Sequence, residues 1–405
     1  MKLKYKLLII ILVLPVSLFA QDFGLVTSVY SGYGYSGDED NAFDFKANLW
    51  PRFSCLIGDN SELYVAAGVT LDNEDGFRVF PELLRIEFST RFGSGGLRVG
   101  RINYSDPFSI IASGLFDGAQ YYISLPVGRF SAGVWYTGFL FKERANITMT
   151  SDDYYNYYKP LDYSDFINTY FASKRLIAAL DWSHQSIARI LRLNVSAIWQ
   201  FDLNDSGNKY HSQYIVLKSG IQFNKFLIEA GGAVEFSQSE ADDFSTGVAL
   251  AGVLGFTWIL PTSFSSSLSF NARIAGGKIE DSLETFNPVT TKYFSNILEC
   301  KMSGVSVFDI GYQARINQKM STSLSVLYFV RNDLAAFSGY PLSKLSAESD
   351  GYFLGGEIFA QFTYKPFSDL QFNLGGGAFL PALGNSAPEE KPLWRLELTA
   401  VISIL

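Results

Sequence analysis

The feature that most constrains this chain is a strict alternation of polar and apolar residues, carried with few interruptions from Phe23 to Leu405. A period of two places successive side chains on opposite faces of an extended strand, so each segment separates two unlike surroundings. Residues 83–117 show the plan. Arg85, Glu87, Ser89 and Arg91 alternate with Leu84, Ile86, Phe88, Thr90 and Phe92, and the turn at Gly93, Ser94, Gly95 and Gly96 then sends residues 97–104 back antiparallel. The clearest strand sets Arg192, Asn194, Ser196, Gln200 and Asp202 against Leu191, Leu193, Val195, Ala197, Trp199 and Phe201; only Ile198 breaks its polar face.

Apolar faces on so many strands need a cover, and the sequence supplies none: it has no long amphipathic helix, no linker and, after residue 20, no apolar run long enough for a membrane helix. In a bilayer, backbone groups must pair within the protein, so a sheet there has to close on itself. We therefore read the chain as all-β, a closed antiparallel transmembrane barrel of about eighteen strands, or sixteen if the weaker segments near Ser267 and Val305 lie outside the wall. Short connections near Gly58, Gly93, Pro126, Ser186, Asn224, Pro261, Gln318 and Pro366 alternate with longer, often acidic ones, as in a barrel inserted in one orientation. Inward-pointing charges such as Arg85, Arg129, Arg175, Arg192, Glu87, Asp202, Glu235 and Glu357 are too costly for a lipid face, and a circle this wide leaves room for water. Trp182, Trp258 and Trp394 near strand ends fit interfacial girdles, and Pro51 within a strand marks a bulge.

Lys2, Lys4 and Lys6 followed by an apolar run over residues 7–14 read as a signal peptide spanning residues 1–20, leaving residues 21–405 as one barrel domain in the outer membrane. Gln21 after the cut, rather than Cys, argues against a lipid anchor. Loss of the three lysines leaves 29 basic against 40 acidic residues, a balance that excludes nucleic acid as a partner. Outer-membrane lipid and small hydrophilic solutes are the partners this design calls for. Cys55 and Cys300 lie far apart in strand order and read as unpaired.

Val99, Gly100 and Arg101, then Asp106, then the run Gly114, Leu115, Phe116, Asp117, Gly118 resemble an element of alginate-export-type and related substrate-specific eighteen-stranded porins, with Ile102 where those families carry Gln. The resemblance implies a channel whose third outer loop, residues 104–117, folds into the lumen, where Phe108, Ile110 and Ile111 pack on the inner wall. Bottom-up, Arg85, Arg91, Arg98 and Arg129 lie on neighbouring strands with Glu87 among them, and Arg101 is close by; Arg98 and Arg101 share an inward face only with a bulge between them. With Asp106 and Asp117 opposite, these arginines set a transverse field for charged solutes, or else are salt-bridged wall residues.

The histidines, His184 and His211, fall near opposite rims, which argues against a Ser-His hydrolase, and no pattern calls for a cofactor. Acidic Asp72, Glu74 and Asp75 read as a solvated loop more readily than as a Ca²⁺ site. The loop holding Tyr154, Tyr155, Tyr157, Tyr158 and Tyr163 keeps a second reading open, a surface adhesin or receptor that meets extracellular ligands through its long loops.

Overall fold

A computed structural model describes residues 21–37, 41–73, 78–205, 209–240, 245–279, 282–334 and 351–404. The signal peptide expected at residues 1–20, and Glu74 and Asp75 of the acidic loop, lie outside the described residues.

The strands are β1 (Gln21–Tyr35), β2 (Ala42–Ile57), β3 (Ser61–Asp72), β4 (Arg78–Phe92), β5 (Gly95–Ser105), β6 (Ser113–Leu125), β7 (Gly128–Tyr136), β8 (Arg175–Ile187) and β9 (Leu191–Asp202) in the first half. The second half contributes β10 (Tyr210–Phe223), β11 (Phe226–Ser239), β12 (Ser245–Ile259), β13 (Ser265–Ala275), β14 (Val305–Arg315), β15 (Met320–Arg331), β16 (Phe353–Phe367), β17 (Leu370–Leu380) and β18 (Leu393–Ile404). Each pairs antiparallel with its sequence neighbours, and β1 pairs with β18 from Leu25↔Ile404 to Tyr35↔Trp394, closing an 18-stranded barrel. The segments near Ser267 and Val305 belong to the wall as β13 and β14, which removes the sixteen-strand alternative. Pro51 does not make the expected bulge. The β2–β3 ladder skips it between Leu49↔Val69 and Arg52↔Ala66 and resumes in the same register, because a missing N–H costs a ladder bond without adding a residue.

Alternation produces the two faces. On β10, Ile215, Leu217 and Ile221 are exposed on the outside, where hydrocarbon would meet them, while Tyr214 and Val216 are buried on the inside. At the short-turn rim the Trp182 indole donates to the Val127 carbonyl and Trp258 stacks near Phe226; at the other rim Trp394 meets Tyr33 edge-on. Both interfaces thus carry aromatic side chains.

The hydrophobic core lies inside the barrel. Ile102, Phe108, Ile110, Ile111 and Phe116 of the β5–β6 hairpin pack with Trp135, Ile177, Ile198 and Tyr214 of the wall and with Phe286, Val289 and Met302 from the connection between β13 and β14. Ile198, the one break in the polar face of β9, is fully buried there. The water-filled cross-section expected from strand number is therefore partly occupied by chain. Residues 137–174, which include α1 (Lys142–Ala145), α2 (Ser151–Tyr158) and α3 (Phe166–Tyr170), and residues 276–304 add to this filling.

One glycine makes the inward hairpin possible. The β4–β5 ladder ends at Glu87↔Gly100, where Gly100 has φ +111°, and a Cβ at that position would stand 2.1 Å from the Ile86 carbonyl oxygen. Beyond it β5 pairs with β6 alone, from Arg101↔Asp117 to Ser105↔Ser113. Gly100→Ala should destabilise the barrel by more than about 1 kcal/mol, read as a lower temperature at which the compact, SDS-resistant form is lost on gels.

Candidate solute site and lumen constriction

Three of the sequence-predicted residues, Arg85, Glu87 and Arg98, are brought together on the inner wall. The Glu87 carboxylate accepts from Arg85 Nε and Arg98 Nε, both at 2.7 Å, and the two arginine side chains stay 30% and 25% exposed toward the lumen. Arg85 also stands over the Tyr64 ring, 5.1 Å from its centroid, and Arg129 over Tyr122 at 4.1 Å. Arg91 is apart from them: it is exposed at the short-turn end of β4, with its amide bonded to the Asn60 carbonyl.

Arg101 and Asp117 form a bidentate pair at 2.9 and 2.8 Å. The bulge that would have turned Arg98 and Arg101 to the same side is absent, because the β5–β6 register runs unbroken from Gly95↔Ile123 to Ser105↔Ser113. Arg101 is buried on the opposite face instead. Its guanidinium bonds the Leu83 carbonyl of β4 and, at 3.1 Å, the Phe139 carbonyl of the segment that fills the space where β5 leaves β4. Asp106 does not stand across from the arginines. Its buried carboxylate accepts from the amides of Phe108 (2.8 Å), Ile111 (2.9 Å) and Ala112 (3.0 Å), locking the hairpin tip, and burial pushes its pKa up against the pull of those amides. The tip itself is residues 106–112; Tyr104 and Ser105 end β5, and residues 113–117 begin β6.

A cavity of about 290 Å³ adjoins this region. Trp50, Tyr64, Ala66, Leu84 and Arg85 line it from the wall, Arg101 and Leu115 from the hairpin, and Leu140, Phe141 and Arg144 from the covering segment, with Glu82 paired to Arg144 at 3.1 Å.

Sequence reasoning took residues 144–173 and the connection near Glu284 as long outer loops and so missed the residues that hold them inside. Glu235 of β11 accepts the Asn287 amide at 2.7 Å, and Glu357 of β16 accepts the amides of Asn296, Ile297 and Leu298 at 2.7, 3.2 and 3.0 Å. Residues 287–298 thus reach from one side of the barrel to strands five places away. Lys301 donates to the Thr148 carbonyl at 2.6 Å and to Asn287 Oδ1 at 2.9 Å, joining the two in-folded segments. Arg175, fully buried, pairs with Asp202 at 2.6 Å and with Asp153, which also caps α2 through the Thr150 amide. The α2 tyrosines pack against one another, with tilted rings whose centroids are 4.6 Å apart for Tyr154 and Tyr158, and Tyr155 is exposed.

Solved barrels share this architecture. The chain has the OccK porin fold. It is similar to OccK2 (OpdF) of Pseudomonas aeruginosa at a TM-score of 0.64 and 10% identity, covering 95% of this chain and 97% of that one. It is similar to OpdK of the same organism at 0.60 and 10%, over 95% and 99% of the two chains, and to OccK10 (OpdN) at 0.55 and 13%, again over 95% and 99%. OccK2 has been solved in complex with glucuronate and OpdK with vanillate. No family model matches the sequence, and no curated protein matches it. These likenesses fall to substrate-specific OccK barrels and lend nothing to the alginate-export type.

Two consequences follow from the buried charges. Arg175→Ala leaves Asp153 and Asp202 buried without their cation and should cost about 3–5 kcal/mol, measured as loss of thermal stability of the refolded barrel. Burial pulls the Lys301 ammonium from 10.5 down to about 8, with Asp153 and Glu235 opposing. The folded chain then binds fewer protons than the unfolded one between those values, so stability should rise with pH across that window and lie flat below it. Subtracting the melting profile of Lys301→Met from that of the parent should isolate this rise.

Proposed function

We infer that residues 1–20 are removed on export and that residues 21–405 form an outer-membrane channel for passive diffusion of small hydrophilic, charged solutes. The observation that carries this reading is the Arg85, Glu87 and Arg98 cluster, half-open to the lumen inside a closed wall whose other face is apolar. Arg129 on β7 extends the cationic side, and Lys218, paired with Glu229 at 3.2 Å, continues the charged lining on β10. Guanidinium groups that are ordered by a carboxylate and remain accessible can take an anionic group of a passing solute bidentately. The ligands of the OccK2 and OpdK complexes, glucuronate and vanillate, are small carboxylates of the kind such a surface accommodates. The in-folded hairpin tip and residues 285–302 supply the narrowing, one from the β5–β6 side and the other from across the lumen.

Planar-bilayer recording on the purified protein tests the reading. Stepwise conductance is expected, with a reversal potential in a salt gradient that moves toward cation selectivity in the Arg85→Ala, Arg98→Ala double variant, which leaves Glu87 without its partners. An unchanged reversal potential would remove the arginines from the solute path.

A further inference from the structure

Between β4 and β5 the wall is not closed by a ladder along its whole height. Pairing runs only from Phe92↔Gly95 to Glu87↔Gly100, and residues 78–86 have β3 alone as a neighbouring strand. Carbonyls on such an edge still require donors. Those of Val79, Pro81 and Leu83, at every second residue as an edge presents them, are taken by the Tyr163 hydroxyl, the Tyr170 hydroxyl at 3.0 Å and the Arg101 guanidinium. Side chains thus stand in for a strand.

The cover over this seam is built in two parts. Phe141 and Tyr170 pack on Phe80 of β4 in a small apolar cluster, whereas Leu140 and Ile147 belong to the large cluster that holds the β5–β6 hairpin. The cavity of about 290 Å³ lies where the two clusters fail to merge. On the outer face of β4 the side chains flanking the seam are Val79, Leu83 and Ile86, all exposed and apolar, so it opens at the level of hydrocarbon.

The cavity's chemistry defines an occupant. Each lining arginine already has a carboxylate partner, Arg85 in Glu87 (shared with Arg98), Arg101 in Asp117 and Arg144 in Glu82, so an uncharged molecule enters without displacing any of these pairs. What remains is an apolar and aromatic lining from Trp50, Tyr64, Leu84, Leu115, Leu140 and Phe141. We propose that the β4–β5 seam is a side entrance through which a small uncharged aromatic molecule passes between the bilayer and this cavity. Such a molecule concentrates in hydrocarbon, which is where the seam faces. The proposal rests on the barrel's seat in a bilayer and not on the passage of charged solutes through the lumen.

Benzophenone, an uncharged ketone that attaches to nearby C–H bonds when irradiated, serves as the probe. It is dissolved in the bilayer of vesicles that carry the full-length protein, and its adducts are mapped by peptide mass spectrometry. Adducts are expected on Leu84, Leu140 and Phe141. Leu83 and Phe139, whose carbonyls flank the same Arg101 guanidinium, are then changed to Cys and bridged with a short reducible crosslinker. Cavity adducts should disappear, return on reduction, and do so at unchanged ion conductance. In a second variant, Tyr163→Phe with Tyr170→Phe, loss of the two hydroxyl caps should increase cavity labelling. Equal labelling of bridged and unbridged protein, or adducts confined to outward side chains such as Val79 and Ile86, would overturn the proposal. Absence of conductance in every variant would count against the channel reading alone, since labelling still judges the seam.

Discussion

In a bilayer a backbone amide or carbonyl has no water to turn to, and a closed barrel such as this one is an architecture that meets that demand. Ladder bonds meet it around almost the whole ring, including the join of β1 with β18. One stretch that departs from this is the upper part of β4, where two tyrosines and an arginine supply the donors. This exception is tied to the interior: Gly100 lets β5 turn away from β4, and the hairpin tip so released carries Phe108, Ile110 and Ile111 to the opposite inner wall. Wall geometry and lumen filling are one problem solved together.

Inner-face charges divide by height into two kinds. Near the long-loop rim, Arg175, Glu235 and Glu357 are almost fully buried, and their partners are the amides and acids of folded-in segments, so they act as fasteners. Nearer the short turns, Arg85 and Arg98 keep part of their surface open to the lumen. An alternating strand looks the same in both places, because the sequence specifies that a residue faces inward and leaves open what it meets there.

That distinction explains how much could be read from the residues. Period-two patterning reports a strand's two surroundings directly, so about eighteen strands, the closed ring and the alternation of short and long connections were legible, whereas the inward fold of the loop holding Phe108, Ile110 and Ile111 was expected from the porin resemblance and not from any period. The path of residues 276–304 was not legible, since it is fixed by contacts such as Asn287 with Glu235 and Asn296 with Glu357, about fifty to sixty positions apart and invisible to any local pattern. Two signals did point to it. Ile198 interrupts a polar face for no local reason, and Phe286, Val289 and Met302 are apolar residues in what would otherwise be a solvated loop. Within the candidate site, adjacency in the sheet put Arg85 and Arg98 on neighbouring strands, where both meet Glu87, but misassigned Asp106, whose carboxylate found amides within its own turn before it could reach an arginine.

The join between β1 and β18 sets residues near position 25 beside residues near position 404. A growing chain therefore makes seventeen of its eighteen strands with two bare edges showing, and the cylinder is completed only when the last strand arrives. Half-made sheets of this kind attract one another edge to edge, which makes the timing of release, and the escort that delays it, as much a requirement for this molecule as any residue in its wall.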